Sequence, residues 1–529
     1  MFAAMFLTSC SSEHRVTSKD DLIVYLDSLE RAYENACFAM GTANWNSYSK
    51  EAPADLNAAK AKFARIFLDE KHRRTISEWR EKSSSLADEL LARRLEMWHR
   101  CFVGGAIYSH PEIAELENKL QKRITDFKFT LDGGLITRAQ IGNRLREEKN
   151  QRLRHALWQV TGQLSSRAKD DLVTLVKLRN EQAKKYGFPN YYSLALHLQA
   201  IDEAWLLRTL NSLEELTRKP FQAFTKASKR KLHVKEFRPW DFDIALRAAV
   251  SLPDKYFSPN SVFSVLHKFE KGIGFPVDSL PIKEYVKDIP YGGLSLALNI
   301  PSDSRFLVNP TKGKGFYEVA FHEYGHSLQA VYISVEHPIL KGYEWIPGAQ
   351  CAAYSEGVAD FHKEFTDHPD WLYRHTKAKK REIEKYLSGK GLPVLYRLRR
   401  LLRDFFIEYE MYKNPDQDMA ALERAMFKKY LLAELDKKDS HLFAANIWYT
   451  SYPCYFQSYI LAGMIATQLQ EALSSKLADE KISSPKVARW IIERLYAAGE
   501  TTEWTERIHE ATGKSLETGA YLRKMGITE

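Results

Sequence analysis

One short motif constrains this chain more than any other feature: the five residues His322, Glu323, Tyr324, Gly325 and His326. In a helix, residues i and i+4 lie on one face, so the imidazoles of His322 and His326 can converge on a single ion. Zinc favours nitrogen ligands in a tetrahedral arrangement, and Glu323 would face the open side of the metal. A carboxylate there can take a proton from water and pass it to a leaving amine. The motif therefore indicates a zinc-dependent enzyme that hydrolyses peptide bonds.

The flanking residues distinguish this interpretation from a surface helix that carries two histidines by chance. Apolar side chains lie on both sides of the motif, namely Phe316, Val319, Ala320, Leu328, Ala330 and Val331. This pattern is typical of a helix packed in a core rather than displayed in solvent. We therefore predict a buried metal-binding helix.

A third metal ligand has to come from farther along the chain. A third histidine shortly after the motif is absent, because Gln329 and Tyr332 occupy the two critical places. In another class of zinc site a glutamate ligand follows the motif at a short spacing, but the corresponding position in this chain falls near Ile346. The ligand must therefore follow at a longer spacing.

Glu356 is the best candidate for that ligand. Glu356 and Asp360 lie four residues apart and would share one helical face. One would bind zinc, and the other would hold a ligand histidine through its second ring nitrogen, which fixes the tautomer and the ring orientation. Glu344 and Glu336 are the alternative third ligands.

The spacing of His322-Glu323-x-x-His326 and Glu356-x-x-x-Asp360 resembles that of the helical glutamate zincins. This group holds the angiotensin-converting-enzyme-like peptidyl dipeptidases, thimet oligopeptidase and oligoendopeptidase F. Weaker similarities lie in residues 43–48, 178–188 and 238–241, so that the resemblance runs from about residue 20 to about residue 475. It implies a mainly α-helical, two-lobed zincin with a deep substrate channel and a small edge sheet beside the metal helix. It also implies one zinc ion held by His322, His326 and Glu356, with Asp360 supporting a ligand histidine.

The same resemblance assigns roles to two tyrosines near the carboxyl terminus. Tyr452 and Tyr455 are three residues apart and precede an apolar helix, as in both branches of the group. On that match Tyr455 donates a hydrogen bond to the oxyanion of the tetrahedral intermediate, and Tyr452 contacts the substrate or supports Tyr455. A phenol beside zinc is a suitable neutral donor where negative charge develops.

Three positions depart from the pattern of the group. The gap between His326 and Glu356 is 29 residues, a few more than usual, and the loop 335–350 would hold the insertion. A substrate-binding histidine normally stands upstream of the tyrosines; His441, which is close to that place but out of register, is the predicted substrate contact. Cys454 replaces the arginine of the chloride-activated converting enzymes, so chloride activation is not implied.

Two short strands are predicted upstream of the motif, over residues 294–299 and 305–309, separated by Pro301 and Asp303. In the peptidases of this group an edge strand pairs with the backbone of the bound peptide. A hairpin with only a structural role is the alternative, and the sequence favours neither interpretation over the other.

The rest of the chain reads as one helical unit. Its 529 residues, 44% of them hydrophobic, can bury a large core, and no linker, repeat or low-complexity tract divides them. Helical periodicity dominates, for example over residues 20–41, 77–103, 169–185, 204–218, 393–411 and 455–473. We predict a single metallopeptidase unit over residues 21–529, with an amino-terminal lobe at about 21–235 and a zinc-binding lobe at about 236–529.

The charge of the chain does not indicate nucleic-acid binding. The net charge is +9, but the 77 basic and 68 acidic residues are interspersed and no recognised binding motif accompanies them. We expect the partners to be short or unfolded peptides, admitted under the roof that the amino-terminal lobe forms.

The first ten residues are apolar, too short to span a bilayer, and end in Leu-Thr-Ser-Cys10. This segment resembles the lipobox of bacterial lipoproteins, in which a signal is cleaved before a cysteine that is then lipidated. It predicts a signal over residues 1–10, a short tether over 11–20, and an enzyme anchored in the bacterial envelope facing the periplasm or exterior. If the match is accidental, the protein is cytoplasmic. The other four cysteines, Cys37, Cys101, Cys351 and Cys454, are predicted to be buried free thiols.

Two classes of function remain open at this point. The favoured one is a zinc metallopeptidase, either a peptidyl dipeptidase or an oligoendopeptidase. The alternative is a catalytically inactive envelope protein that keeps the fold to bind peptides or proteins. The simultaneous presence of His322, Glu323, His326, Glu356 and Tyr455 favours the enzyme, because an inactive relative has little chemical reason to keep all five.

Overall fold

Helices form most of the protein, as the hydrophobic periodicity predicts, and the mainly α-helical fold class is confirmed. The computed structural model describes residues 16–247, 252–289, 292–439, 443–476, 482 and 484–528. The predicted lipidation site Cys10 and the predicted substrate contact His441 both lie outside the described residues. Among the described residues, no helix combines the length and apolar character needed to cross a lipid bilayer.

Twelve of the helices precede the metal-binding motif. They are α1 (Lys19–Ser49), α2 (Leu56–Phe67), α3 (Glu70–Glu81), α4 (Glu89–Tyr108), α5 (Pro111–Asp126), α6 (Arg138–Glu147), α7 (Gln151–Val160), α8 (Gly162–Lys185), α9 (Tyr191–Leu198), α10 (Glu203–Lys231), α11 (Phe242–Arg247) and α12 (Val262–Ile273) within the described ranges. The helix expected over residues 77–103 is interrupted between α3 and α4. A short 3₁₀ turn (Ser83–Leu86) and Ala87 at φ 46° end the first part, and the Asp88 side chain accepts from the Leu91 amide to begin the second. Serine and aspartate favour such breaks because their side chains compete for backbone hydrogen bonds.

The motif opens the second set of helices. In the described part of the chain these are α13 (Lys314–Tyr332), α14 (Ala352–Glu364), α15 (Pro369–His375), α16 (Lys380–Gly389), α17 (Gly391–Lys413), α18 (Met419–Met426), α19 (Ile447–Ser451), α20 (Phe456–Lys476), α21 (Lys486–Ile491), α22 (Trp504–Thr512) and α23 (Gly519–Lys524).

A small mixed sheet lies beside α13. The hairpin β1 (Phe129–Leu131) and β2 (Gly134–Ile136) is separate from it, and the sheet itself contains β3 (Ile282–Val286), β4 (Gly293–Asn299) and β5 (Asp303–Val308). The predicted pair is present as antiparallel β4 and β5, whereas β3, which pairs in parallel with β5, was not predicted. The strand order is β3-β5-β4, so β4 is an edge strand.

Two apolar cores hold these elements in place. The larger core joins α5 and α7–α10 to α13, α14, α17 and α20, which carry or support the motif residues. The second core joins α1, α2 and α4 to the segment that follows α13, through Ile333, Ile339, Leu340, Tyr343 and Ile346. Residues 333–351, which we call the 333–351 loop, are thus packed against the amino-terminal helices rather than left in solvent. The cysteines Cys37, Cys101, Cys351 and Cys454 are buried free thiols, as predicted.

Two glycines set the spacing between the motif helices. A Cβ atom at Gly325 of α13 would lie 3.1 Å from the Cα of Ala359 in α14. A Cβ atom at Gly357 of α14 would lie 2.7 Å from the Ile465 Cβ in α20. Larger residues would push the three helices apart, so α14 is fixed between α13 and α20 with no room to slide.

Candidate active site

Helices α13 and α14 bring the three predicted metal ligands together. The rings of His322 and His326 are 4.8 Å apart at right angles, as expected for i and i+4 side chains that converge. The Glu356 Oε2 atom lies 3.4 Å from the His322 Nε2 atom. One ligand atom from each of His322, His326 and Glu356 lies within 4.8 Å of the others. Glu356, rather than the alternatives Glu344 and Glu336, completes this group.

The donor set and its geometry fit a zinc ion. Two ligand atoms about 2.1 Å from zinc at the tetrahedral angle lie about 3.4 Å apart, which matches the His322–Glu356 separation. The Nδ1 atom of His322 is 2.9 Å from Asp360 Oδ1, and that of His326 is 3.2 Å from Ser355 Oγ. Both histidines therefore present Nε2 to the common point. Two imidazoles, one carboxylate and an open fourth position are the pattern of catalytic zinc sites.

Asp360 occupies the supporting position that the sequence predicts. It lies one turn from Glu356 on α14, with Lys363 bonded to Oδ1 and Arg397 3.5 Å from Oδ2. Burial alone would raise the pKa of the Asp360 carboxyl, but Lys363, Arg397 and His322 hold it well below its usual range. The ionised carboxylate keeps the proton of His322 on Nδ1, which leaves Nε2 free to bind a metal.

Glu323 lies against the edge strand β4. A Cβ atom at Gly293 would be 2.6 Å from both Cγ and Oε1 of Glu323, so the strand can approach this closely only because residue 293 is glycine. The nearby backbone amide of Ser295 acts to lower the pKa of Glu323. Burial, together with the negative charge of Glu356, raises the pKa of Glu323 to about 7. A carboxyl group near this value can both accept and release a proton at neutral pH.

The pKa values of the two histidines move in opposite directions. Burial lowers the pKa of His326 to about 4, assisted by the positive charge on His322, so its imidazole is neutral. Burial acts in the same sense on His322, but its hydrogen bonds with Asp360 and Glu356 prevail and raise its pKa to about 10. The carboxylates of Asp360 and Glu356 thus favour the protonated imidazole of His322, and a metal that binds Nε2 displaces the proton on that atom.

Tyr455 lies beside the three predicted metal ligands. Its hydroxyl donates to Glu356 Oε1 at 2.9 Å, and the Trp448 ring stacks on its own ring at 5.8 Å. The preceding Cys454 has φ 57°, which a non-glycine residue rarely adopts, and its amide donates to buried Glu408 at 2.8 Å. This bend aims Tyr455 towards the metal ligands. Tyr452 is 38% exposed, and its ring lies 6.2 Å from that of Tyr455.

All these groups line one cavity of about 990 Å³. The edge strand β4, helices α13 and α14, the 333–351 loop and residues 448–455 form its walls. Glu344 of the loop faces this cavity, whereas Glu336 is exposed and is not among its lining residues.

Several residues that shape the site were not predicted. They are Ser295, Ser355, Lys363, Arg397 and Trp448. Lys363 could have been found, because it lies three residues after Asp360 on the same helix, where side chains meet. Arg397 is distant in sequence and carries no local signal, whereas Trp448 lies seven residues before Tyr455 in the same segment.

A second group of potential ligand atoms occurs in the described chain, formed by Asp27, Glu30 and His337. Arg94 donates to Asp27 at 2.6 Å and to Glu30 at 2.9 Å. A guanidinium between the two carboxylates already supplies the positive charge that a metal would bring, so this group is an ion-pair cluster.

Comparison with known proteins finds one family model and solved structures that resemble this chain. A family model described as Carboxypeptidase Taq (M32) metallopeptidase matches residues 396–527, the segment that carries Arg397, Trp448 and Tyr455. The crystal structure of the M32 carboxypeptidase from Deinococcus radiodurans R1 is similar over 96% of this chain and 100% of that chain, with a TM-score of 0.62 and 13% identity. No curated protein sequence matches.

These matches support part of the predicted relationship. The fold is that of an M32 carboxypeptidase, with helices dominating and small sheets. The prediction of a helical metallopeptidase is confirmed, but neither comparison names the converting-enzyme, thimet oligopeptidase or oligoendopeptidase F branches. Both matches support a zinc metallopeptidase.

Proposed function

We propose that this protein is a zinc carboxypeptidase, which removes residues from the carboxyl ends of peptides. The observation that carries the proposal is the convergence of His322, His326 and Glu356 beside Glu323 and Tyr455 in one cavity. Release from the carboxyl terminus is favoured over dipeptide release or internal cleavage by the similarity to M32 carboxypeptidases.

The chain's own residues divide the reaction between them. When bound, zinc supplies a Lewis acid that polarises the scissile carbonyl and makes water easier to deprotonate. Glu323 accepts the proton of the attacking water and then delivers it to the leaving amine. The Tyr455 hydroxyl turns from Glu356 to donate a hydrogen bond to the oxyanion, where negative charge develops. Asp360 holds His322 in the orientation and tautomer that bind the metal.

The cavity suits peptides rather than folded proteins. Gly293, Leu294, Ser295 and Leu296 of the edge strand line it directly beside Glu323. An extended peptide that pairs with β4 would place its backbone across the site, which gives affinity with little selection of side chains. A space of about 990 Å³ admits a few residues of an extended chain.

Peptide products distinguish the modes of cleavage. We would incubate the zinc-loaded protein with one peptide in three forms: free at both ends, acetylated at the amino end, and amidated at the carboxyl end. Mass spectra over time should show successive loss of single carboxyl-terminal residues from the first two forms and none from the amidated form. Loss of two residues at a time would instead indicate a peptidyl dipeptidase, and internal fragments would indicate an oligoendopeptidase.

The inactive peptide-binding protein remains the competing candidate. It predicts that none of the three peptides is cleaved at any zinc concentration, although they bind. Glu323→Gln is the matched negative control for cleavage, and Glu336→Gln, an exposed residue outside the cavity, is the matched positive control.

The proposed location is the bacterial envelope, with the protein tethered through a lipid on Cys10. The supporting feature is the Leu-Thr-Ser-Cys sequence at residues 7–10. Expression in a bacterial host with an alkyne-tagged fatty acid should label the wild-type protein, and Cys10→Ser should abolish the label. An unlabelled wild-type protein in the cytosolic fraction would contradict this proposal.

A further inference from the structure

We propose that Glu344 is a specificity-determining residue that receives a positively charged side chain of the peptide, a lysine or arginine next to the scissile bond. This inference rests on the proposed function and narrows its substrate class. It follows from three observations: the rigidity of the 333–351 loop, the charges that line the cavity, and the apolar residues beside Glu344.

The 333–351 loop is a fixed wall of the cavity. The Tyr343 hydroxyl accepts from the Ile300 amide at 2.9 Å, and Lys341 donates to Glu34 at 2.5 Å and to the Ile300 carbonyl at 3.0 Å. These bonds tie both neighbours of Gly342 to other elements of the fold. Glu344 therefore holds a defined position in the wall.

The far end of the loop is packed just as closely. A Cβ atom at Gly104 of α4 would lie 2.1 Å from the Pro347 carbonyl oxygen, and one at Gly348, where φ is 98°, would lie 2.8 Å from the Arg100 backbone. A loop bonded at one end and packed at the other can present a side chain with little loss of entropy on binding.

The other carboxylates of the cavity wall already have partners. Glu117 pairs with Arg179 at 2.9 Å, Glu318 with Lys314 at 2.5 Å, and Glu500 with Arg507 at 2.9 Å. Asp360 is held by Lys363 and Arg397, and Glu323 and Glu356 belong to the reaction centre. Glu344 makes no hydrogen bond or ion pair with any residue that the structure describes, although its side chain is accessible from the cavity.

A carboxylate that faces the cavity without a counter-charge makes this position favourable for a cation. Glu344 is open to the cavity but lies deep in the protein, and this desolvation, followed by the negative charges of Glu356 and Glu323, raises its pKa to about 8. A positive charge bound against Glu344 lowers this pKa, so that binding and ionisation reinforce each other. After burial and the charge of Glu356, the charge of Glu344 raises the pKa of Tyr455, so Glu344 lies within electrostatic reach of the proposed oxyanion donor.

The chemistry around Glu344 suits a long basic side chain rather than a small cation. Trp345 and Ile346 follow Glu344 in the cavity wall. The methylene stem of lysine or arginine can pack on such apolar surface while its charged end reaches the carboxylate. Peptides with lysine or arginine at the carboxyl-terminal or penultimate position meet both requirements.

Two series of peptides that differ only in charge test this assignment. Each pair carries lysine or norleucine, which share the same stem, at the carboxyl-terminal or the penultimate position. We expect kcat/KM to favour lysine on the order of tenfold in one of the two series, as for a desolvated charge pair. Glu344→Gln should remove the preference, and Glu344→Asp should keep part of it. Glu344→Lys should favour glutamate at the same position, and Glu336→Gln should behave as the wild type.

Binding separates a failure of this inference from a failure of the proposed function. Fluorescent lysine and norleucine peptides are titrated into zinc-loaded Glu323→Gln protein, with and without Glu344→Gln. A lysine preference that depends on Glu344 supports the inference even if the wild type cleaves nothing, which would refute only the proposed function. Equal affinity for both peptides in the presence of Glu344, with equal kcat/KM, would overturn the inference while leaving the peptidase intact.

Discussion

The metal-ligand helices and the 333–351 loop border the same cavity but are built in opposite ways. On α13 and α14 the metal ligands are held by hydrogen bonds, as His322 is by Asp360 and Glu356 by Tyr455. The loop contains one short 3₁₀ turn, Pro338–Leu340, and its cavity-facing Glu344 has no described partner. The metal ligands of the first region have hydrogen-bond partners without a peptide, whereas the second region presents the Glu344 carboxyl group to the peptide.

This difference indicates which region performs catalysis and which region selects the substrate. A group that bonds within the protein is held in place for catalysis before the peptide binds. A group without a partner gains one only from the substrate, so its contribution depends on which substrate binds. Changes on α13, α14 or at Tyr455 should therefore affect all peptides alike, and changes at the loop should affect some peptides and not others.

The largest loss is expected for Glu323→Gln. Removal of the proton acceptor should lower kcat by about 10²–10⁴-fold on every peptide, while bound zinc stays the same. Mass spectrometry of products and metal analysis of the purified variant measure the two effects. A chelator-sensitive variant with the wild-type rate would refute the role of Glu323.

A smaller but equally uniform loss is expected for Tyr455→Phe. Without the phenolic donor, kcat should fall by about 10²–10³-fold, with KM little changed because the oxyanion exists only in the transition state. Tyr452→Phe is the matched control, since Tyr452 lies farther from the metal ligands and should lose much less activity. Equal losses in the two variants would argue that the tyrosines support structure rather than the oxyanion.

Asp360→Asn should weaken zinc binding rather than slow the reaction once zinc is bound. Its loss of charge weakens the support of His322, and zinc affinity should fall about 10–100-fold, as measured by competition with a chromophoric chelator. Activity should return at saturating zinc. Unchanged affinity would mean that Lys363 and Arg397, rather than His322, are the significant partners of Asp360.

The smallest effect is expected for Gly104→Ala, which tests the loop from outside the cavity. The added methyl group meets the Pro347 carbonyl oxygen, so the loop must shift and the lysine preference should fall by a few-fold, about 1 kcal/mol or less. Zinc affinity and the rate on norleucine peptides should not change. Gly142→Ala in α6 is the control, because its Cβ meets nothing within 4 Å, and a thermal melt verifies that both variants fold. A uniform loss of activity would show that the loop supports catalysis as well.

The sequence predicts the catalytic helices better than the walls around them. His322, His326, Glu356 and Asp360 follow helical spacing, and a periodic pattern specifies which side chains share a face. The Ser83–Leu86 break went unpredicted because apolar residues continue in phase across it. Strand β3 was missed because parallel pairing with β5 is set by contacts between distant residues.

The cavity wall could not be predicted for a related reason. Glu344 was only an alternative metal ligand, since a loop has no period that tells which way a side chain points. Arg397 lies 41 residues after Glu356 in sequence, and only the packing of α17 in the larger core brings it to the site. Which side chains of the cavity wall have hydrogen-bond or ion-pair partners is known only from the three-dimensional fold.

Burial makes the four cysteines unreactive towards alkylating reagents and oxidants in solution. Burial raises the pKa of the Cys454 thiol well above its usual range and that of the Cys351 thiol to about 12, so neither forms the reactive thiolate at neutral pH. Cys454 precedes Tyr455, yet alkylating reagents and mild oxidants should leave the folded enzyme active. The same chain can therefore work under reducing or oxidising conditions without a change of mechanism.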